Sequence, residues 1–312
     1  MLNLPPTVDL REVGLRDGLQ LEEPIATRMK LEILESIAAT GIRRVEVTSF
    51  VSRSAVPALA DAEQVVAELY RWPEVHFSAL VAGLGGARRA LAAGMPNLEY
   101  VISASDGHSL ANARRTTAEA VDGVADIAHA VHSAGGILEA IIAVAWDCPF
   151  DGRTAVDRTV RIARRAIELG ADQVCLGDTI GTTVPGRVAE LVGAVRTAVP
   201  DVPVGVHLHN TRGAGLASVL AAIQTGVTQI DAALGGLGGC PFAPGASGNI
   251  ATEDVVYLLE ESGVRTGLDL GGVLDAAAVV ERAVGHGLSS SLHRAGGPSR
   301  PRGRSRSSAE RS

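Results

Sequence analysis

Two histidines one residue apart, His207 and His209 in "VGVHLHN", close a short β-branched run. Residues two apart on a strand point to the same side. The pair therefore reads either as two hydrogen-bonded core histidines or as two nitrogens offered to a metal, and spacing alone leaves both readings open. Near the N-terminus another apolar run ends in Arg16-Asp17-Gly18, a cation beside an anion where a buried strand would simply stop. Asp17 can supply an anionic oxygen, and Asn249, in "GASGN", a carbonyl oxygen. Two imidazoles, a carboxylate and an amide oxygen make a borderline-hard donor set. It suits Mg²⁺ or Mn²⁺, then Co²⁺ or Zn²⁺, with positions left open for a substrate.

Three further side chains could move protons or hold the site together. Cys240 lies in "GGLGGCPFAPGASGN", whose glycines reach backbone shapes closed to other residues, so the loop could fold over a site. A thiol tuned by nearby charge can transfer a proton; a small buried cysteine is the other reading. Cys148 and Cys175 read as structural. Asp178 ends the run "LGD" and is either a site carboxylate or a helix cap before Thr179. Glu46 sits inside an apolar strand, where burial without a partner is costly. Arg16 is the partner the sequence offers it, whether in a structural pair or in support of a metal. His76, His108, His129, His132, His286 and His293 read as non-catalytic, His108 least firmly.

The elements that must position these residues alternate. β-branched runs fall at about 7–13, 43–49, 76–81, 98–103, 137–144, 172–176, 203–208 and 228–232. Amphipathic stretches lie between and after them, at about 28–40, 61–70, 84–93, 116–134, 153–169, 185–198, 213–225 and 252–263. Gly41, Gly94, Gly135, Gly170 and Gly226 stand where several of the helices should end. About eight βα units match a (β/α)₈ TIM barrel, with a doubly wound open sheet as the alternative. In a barrel, the loops after the strands build the active site. Arg16-Asp17, Glu46, Asp178, His207-x-His209 and the glycine loop all fall at that same end of successive units.

Taken together, "EVGLRDGLQ", "VEVTSFVS", "LGDTIG", "VHLHNTRG" and "GGLGGCPFAPGASGNIATED" resemble the 3-hydroxy-3-methylglutaryl-CoA lyase family, metal-dependent lyases on a TIM barrel. The resemblance covers about residues 7–285. It implies Asp17, His207, His209 and Asn249 as ligands of a divalent metal, Mg²⁺ or Mn²⁺, and Arg16 as the catalytic arginine. Cys240 is implied as the loop cysteine that handles a proton, and Glu46 and Asp178 as acidic residues needed for activity and metal-site architecture. The implied reaction cleaves an acyl-CoA substrate, 3-hydroxy-3-methylglutaryl-CoA, to acetyl-CoA and acetoacetate. A cation on the tertiary hydroxyl and free carboxylate would lower the hydroxyl's pKa. Arg16 would stabilise the growing enolate, His207 or Asp178 would act as base, and Cys240 as acid. After strand 3 the family's Asn-Leu-Lys-Gly type turn is absent. "VAGLGGARRA" stands there instead, and Arg114 and Arg115 after strand 4 could meet the CoA phosphates. These departures leave the acyl group open. The alternatives are a longer branched 3-hydroxyglutaryl-CoA, or a metal-dependent 2-oxo acid aldolase or acetyl-CoA condensing enzyme of the same superfamily.

Composition bounds the rest. The chain has 312 residues, 46% of them hydrophobic, and a net charge of −7, enough for one large core. Lys30 is the only lysine and lies in an amphipathic run away from strand ends, which argues against Schiff-base and pyridoxal phosphate chemistry. No window approaches about 18 uninterrupted apolar residues, so no membrane span is expected, and no secretion signal is read at the N-terminus. Three scattered cysteines suit a reducing, cytoplasmic setting. The expected organisation is a barrel domain over 1–287 and a disordered, Arg/Ser-rich tail over 288–312, too poor in apolar residues to fold. Six arginines and one glutamate in 294–312 could touch RNA or an anionic surface, but a nucleic-acid partner is not the expected reading. A homodimer is what the family resemblance implies.

Overall fold

The computed structural model describes residues 3–239 and 248–297. Eight parallel strands close into a barrel in chain order: β1 (Asp9–Glu12), β2 (Arg44–Ser49), β3 (His76–Val81), β4 (Leu98–Ser103), β5 (Leu138–Ala143), β6 (Gln173–Gly177), β7 (Val204–His207) and β8 (Gln229–Ala232). Closure is made by β1 against β8, with Asp9 opposite Gln229 and Glu12 opposite Ala232. An open doubly wound sheet would leave two edges; here every strand has two neighbours. The TIM-barrel expectation therefore holds.

Alternation along the strands builds two different interiors. On β5, "LEAIIA", Leu138, Ala140 and Ile142 join the large outer core between sheet and helices. Ile141 packs instead with Leu80 and Cys175 in a small separate cluster. The outer layer is formed by α1 (Thr27–Ala39), α2 (Ala62–Val66), α3 (Leu84–Ala92), α4 (Asp106–Ala113), α5 (Thr117–Asp122), α6 (Val124–Ser133), α7 (Val156–Glu168), α8 (Pro185–Ala198), α9 (Gly215–Gln224) and α10 (Thr252–Glu261). Gly170 after α7 shows why glycine ends such helices. Its φ is +106°, and a Cβ there would come within 3.0 Å of Ala128 Cβ.

The elements differ from the sequence reading in several places. The stretch 116–134 is two helices, separated at Gly123. The segment after β4 folds as α4, its start capped by Ser105, whose Oγ accepts from His108 N. A helix that the pattern did not single out, α11 (Leu270–Val284), follows α10. Asp269 caps it by accepting from Gly271 N and Gly272 N.

The described chain continues on the barrel past 287, where the tail was expected to begin. Leu288 is buried, filling the space left by Gly235, which has no side chain. Ser289 N and Ser290 N both donate to Gly235 O at 3.0 Å, and Ser290 Oγ donates to Asp254 Oδ1 at 2.9 Å. A last short helix, α12 (Ser291–Ala295), follows. Composition counts apolar residues; it misses a serine-rich segment tied to the barrel through hydrogen bonds to Gly235 and Asp254. The rest of the expected tail, 298–312, lies outside the described residues. Among the described residues no helix is long and apolar enough to cross a membrane. Lys30 is buried on α1, where Nζ donates to Ala58 O at 2.6 Å and pairs with Asp61.

Candidate active site

The site begins where β1 stops. Its last residue, Glu12, is buried, and its carboxylate accepts from Gly14 N at 2.8 Å, Leu234 N at 2.9 Å and Thr252 Oγ1 at 2.6 Å. The chain then winds a wide helical turn over Gly14–Gly18. The N–H groups of Arg16, Asp17 and Gly18 all converge on Val13 O, at 3.1, 2.7 and 3.2 Å. Such single wide turns are common at functional sites. Arg16 and Asp17 therefore hang from a helical turn rather than from the end of a strand. The change of direction comes at Val13.

β7 ends at His207, and His209 follows two residues later, bridged to Asn249. The two Nε2 atoms are 3.1 Å apart. Asp17 Oδ2 is 3.7 Å from His207 Nε2 and 3.9 Å from His209 Nε2. Among the described residues, Asp17, His207 and His209 are the group of His, Cys, Asp and Glu side chains placed to share one metal ion. Asn249 reaches the same place. Its Nδ2 donates to Asp17 Oδ2 at 2.8 Å and to Leu237 O at 2.9 Å. The expectation gave the site the oxygen of this amide; the structure turns its nitrogen to Asp17.

The donor chemistry fits a divalent cation. Burial works to raise the Asp17 pKa, but Arg16, His207, His209 and the Asn249 amide outweigh it and hold the carboxyl well below the usual range. Burial, then His207, pushes His209 down to about 4 against the pull of Asp17, so its ring is neutral at pH 7. One carboxylate and two imidazoles thus face each other across less than 4 Å. Without a cation, lone pairs and a negative charge would crowd the same space.

Arg16 and Glu46 sit beside this cluster. Arg16 Nη1 donates to Asp17 Oδ1 at 2.5 Å, and its Nε lies 2.6 Å from Glu46 Oε1. Glu46 is fully buried, on β2 next to a register shift against β3 at Glu46/Thr48. Bulges of this kind re-aim side chains near active sites. Burial drives the Glu46 pKa up, Arg16 opposes it, and Glu99 adds to it. The expected Arg16–Glu46 partnership is present.

Asp178, just past β6, is not a helix cap. Its oxygens accept from Thr182 N at 3.0 Å and Thr183 N at 3.2 Å, closing a turn ahead of α8. Its backbone N donates to His207 O at 2.9 Å, which ties it to β7. Burial raises its pKa, and those two hydrogen bonds oppose the rise. Asp147 helps hold the turn, accepting from Thr182 Oγ1 at 2.6 Å and from Arg187 Nη1 at 2.7 Å.

The lumen also holds a buried ionic layer whose members no local sequence pattern singles out. Arg11 Nη1 meets Glu99 Oε1 at 2.8 Å and also pairs with Glu139; its Nε and Nη2 fork onto Asp231 Oδ1 and Oδ2, each at 2.8 Å. Asp231 Oδ2 is in turn 3.2 Å from His207 Nδ1. The cue each offers, an ionisable residue inside an apolar strand as at Glu46, does not say what it meets. Cys240 lies outside the described residues. Arg115 is turned onto the protein, donating to Ala82 O at 2.7 Å and Tyr100 Oη at 3.3 Å. Arg114 is the left-handed cap of α4. His108 is buried, its Nδ1 2.8 Å from Ser103 Oγ.

Known proteins place this geometry. The HMGL-like family matches residues 7–280. The chain is 39% identical to (R)-citramalyl-CoA lyase of Chloroflexus aurantiacus, covering 93% of this chain and 95% of that one. It is 36% identical to a hydroxymethylglutaryl-CoA lyase of Bacillus subtilis, covering 92% and 96%. An HMG-CoA lyase of Acinetobacter baumannii, solved with coenzyme A and 3-methylmalate, superposes with a TM-score of 0.90 at 37% identity, over 95% of this chain and 97% of that one.

Proposed function

The chain belongs to the HMGL-like family of carbon–carbon lyases, and from that premise we propose that it cleaves 3-hydroxy-3-methylglutaryl-CoA to acetyl-CoA and acetoacetate with a divalent metal, Mg²⁺ or Mn²⁺. The observation that carries this reading is the convergence of Asp17 Oδ2 with His207 Nε2 and His209 Nε2 at the mouth of the barrel. Asn249 is assigned to the same site by the donor set. A cation bound there would supply Lewis acidity toward the tertiary hydroxyl and free carboxylate of the substrate.

The remaining work falls to the chain itself. The tertiary hydroxyl loses its proton, the bond between carbons 2 and 3 breaks, and the electron pair moves into the thioester as an enolate. Asp178 is the better base than His207, because both nitrogens of His207 face other partners, Asp231 on one side and the Asp17–His209 cluster on the other. Burial keeps the Asp178 carboxyl more basic than an exposed one. Arg16, ionised between Glu46 and Asp17, stabilises the enolate oxygen. Cys240 is assigned the proton that completes acetyl-CoA, and Glu46 holds Arg16 in place.

A second reading has its own support. The relative at 39% identity is named for (R)-citramalyl-CoA, a shorter acyl group than any the sequence reading considered. With a carboxylate directly on the carbinol carbon, the same bond cleavage leaves pyruvate in place of acetoacetate. The test is a product assay on metal-stripped protein reloaded with Mg²⁺ or Mn²⁺ and given either thioester. Acetoacetate release supports the first reading. Pyruvate release from citramalyl-CoA alone selects the second, and no acetyl-CoA from either sinks both. The same reading takes the enzyme as cytoplasmic, in keeping with the buried free thiols Cys148 and Cys175, and as a homodimer, in keeping with the family resemblance.

A further inference from the structure

We propose that Asp231 is a positioning residue for His207, fixing which ring nitrogen keeps a lone pair for the metal; the proposal rests on His207 being a metal ligand. Four strands meet at this carboxylate, β1, β7, β8 and, through Cys175, β6. Asp231 on β8 stands in register with Arg11 on β1 and with His207 on β7. The Arg11 fork, Nε to Oδ1 and Nη2 to Oδ2 at 2.8 Å each, fills one side of the carboxylate and fixes its plane. Oδ2 then faces His207 Nδ1 at 3.2 Å and Cys175 Sγ at 3.8 Å. All four side chains are buried, so no water need compete for these positions.

The consequence is one of donors and acceptors. An ionised carboxylate can only accept. Facing that acceptor, Nδ1 carries its proton, which leaves the Nε2 lone pair for the metal, on the side of Asp17 and His209. Released from Asp231, the ring would populate both tautomers, and the Nε2–H form has nothing to give a metal. Arg11 is itself anchored by Glu99 and Glu139, so the orientation of Asp231 is set by the lumen layer beneath the site. An asparagine at 231 cannot reproduce this. Whichever way its amide turns, an NH₂ group faces Arg11.

Two measurements test the proposal, neither of them turnover. The first is ¹⁵N NMR of the histidine rings in metal-free protein. His207 is expected as the Nδ1–H tautomer in the wild type and as a mixture in Asp231→Asn. The second is Mn²⁺ binding followed by EPR, expected to weaken ~10–100-fold in Asp231→Asn, the usual effect of removing a group that orients a ligand, with the melting transition retained. An Nε2–H His207 in the wild type overturns the proposal even if the variant does not fold. So does a folded variant that binds Mn²⁺ as tightly as the wild type; in that case Asp231 serves only to neutralise Arg11. Wild type that takes up no Mn²⁺ sinks the metal reading itself, a failure the tautomer measurement separates from this one.

Discussion

Arg16 and Asp17 are adjacent in the chain yet serve different partners. Arg16 contacts Asp17 through Oδ1, whereas the oxygen nearest the two histidines is Oδ2. Removing the guanidinium should therefore strip charge from the enolate oxygen while leaving the metal ligands in place. Arg16→Gln is expected to lower kcat by ~10²–10³, the usual cost of losing one donor to a developing oxyanion. Mn²⁺ affinity should stay within a few-fold of wild type, read by steady-state kinetics and by EPR on the same preparation. Loss of Mn²⁺ would instead mean that Arg16 acts through Asp17. At this scale the sequence was informative where residue type and short spacing suffice. Asp17, His207 and His209 were legible because two histidines at strand spacing are rare and their faces follow from the pleat. Asp231 was not, because its meeting with His207 depends on the β7–β8 register, which no local pattern encodes. The identity of Asn249 was legible too, but not which end of its amide faces Asp17.

At the scale of elements, the site depends on Glu12. One carboxylate closes the turn after β1 through Gly14 N, the turn after β8 through Leu234 N, and the start of α10 through Thr252 Oγ1. It joins the first and last strands on the side where Asp17 hangs. Glu12→Ala would leave two buried N–H groups without acceptors and should cost about 2–6 kcal/mol, at roughly 1–3 kcal/mol per stranded group. Glu12→Gln should cost much less, since one oxygen still serves both N–H groups and the Thr252 hydroxyl can turn to accept. Urea unfolding of both variants checks this; equal losses would show that charge rather than acceptor geometry matters. The βα alternation and most strand positions could be read from period and composition. The wide turn at Gly14–Gly18 could not, because it is imposed by hydrogen bonds to Val13 O and by a clamp from distant strands. Helix α11 carried readable signals, Asp269 at its start and Gly285, with φ +77°, at its end. Its opening Leu-Gly-Gly disguised the helical period.

Across the whole molecule, the barrel lumen is an ionic layer where most such barrels stack branched apolar side chains. Arg11, Arg16, Glu46, Glu99, Glu139 and Asp231 are all buried, and the acids outnumber the arginines. Such a layer orients groups well but cannot keep every carboxyl ionised at low cost. Part of the strain falls on Glu139, as it does on Glu46. Burial pushes its pKa up to about 7 from 4.5; Arg11 opposes the rise, while Glu99 and Asp231 reinforce it. The sign of the effect on stability follows. Between pH 4.5 and about 7 the unfolded chain has released this proton while the folded chain still holds it. The folded state therefore binds more protons, and stability from this group, complete below pH 4.5, drains away as pH rises through 7. The slope is at most about 1.4 kcal/mol per pH unit. Glu139→Gln keeps the shape and removes the titration. Its stability relative to wild type should therefore climb across that window, most clearly near pH 7, in urea melts run at half-unit steps. Parallel curves for the two proteins would mean that Arg11 keeps Glu139 ionised throughout, and that the lumen balances its charges without holding a proton.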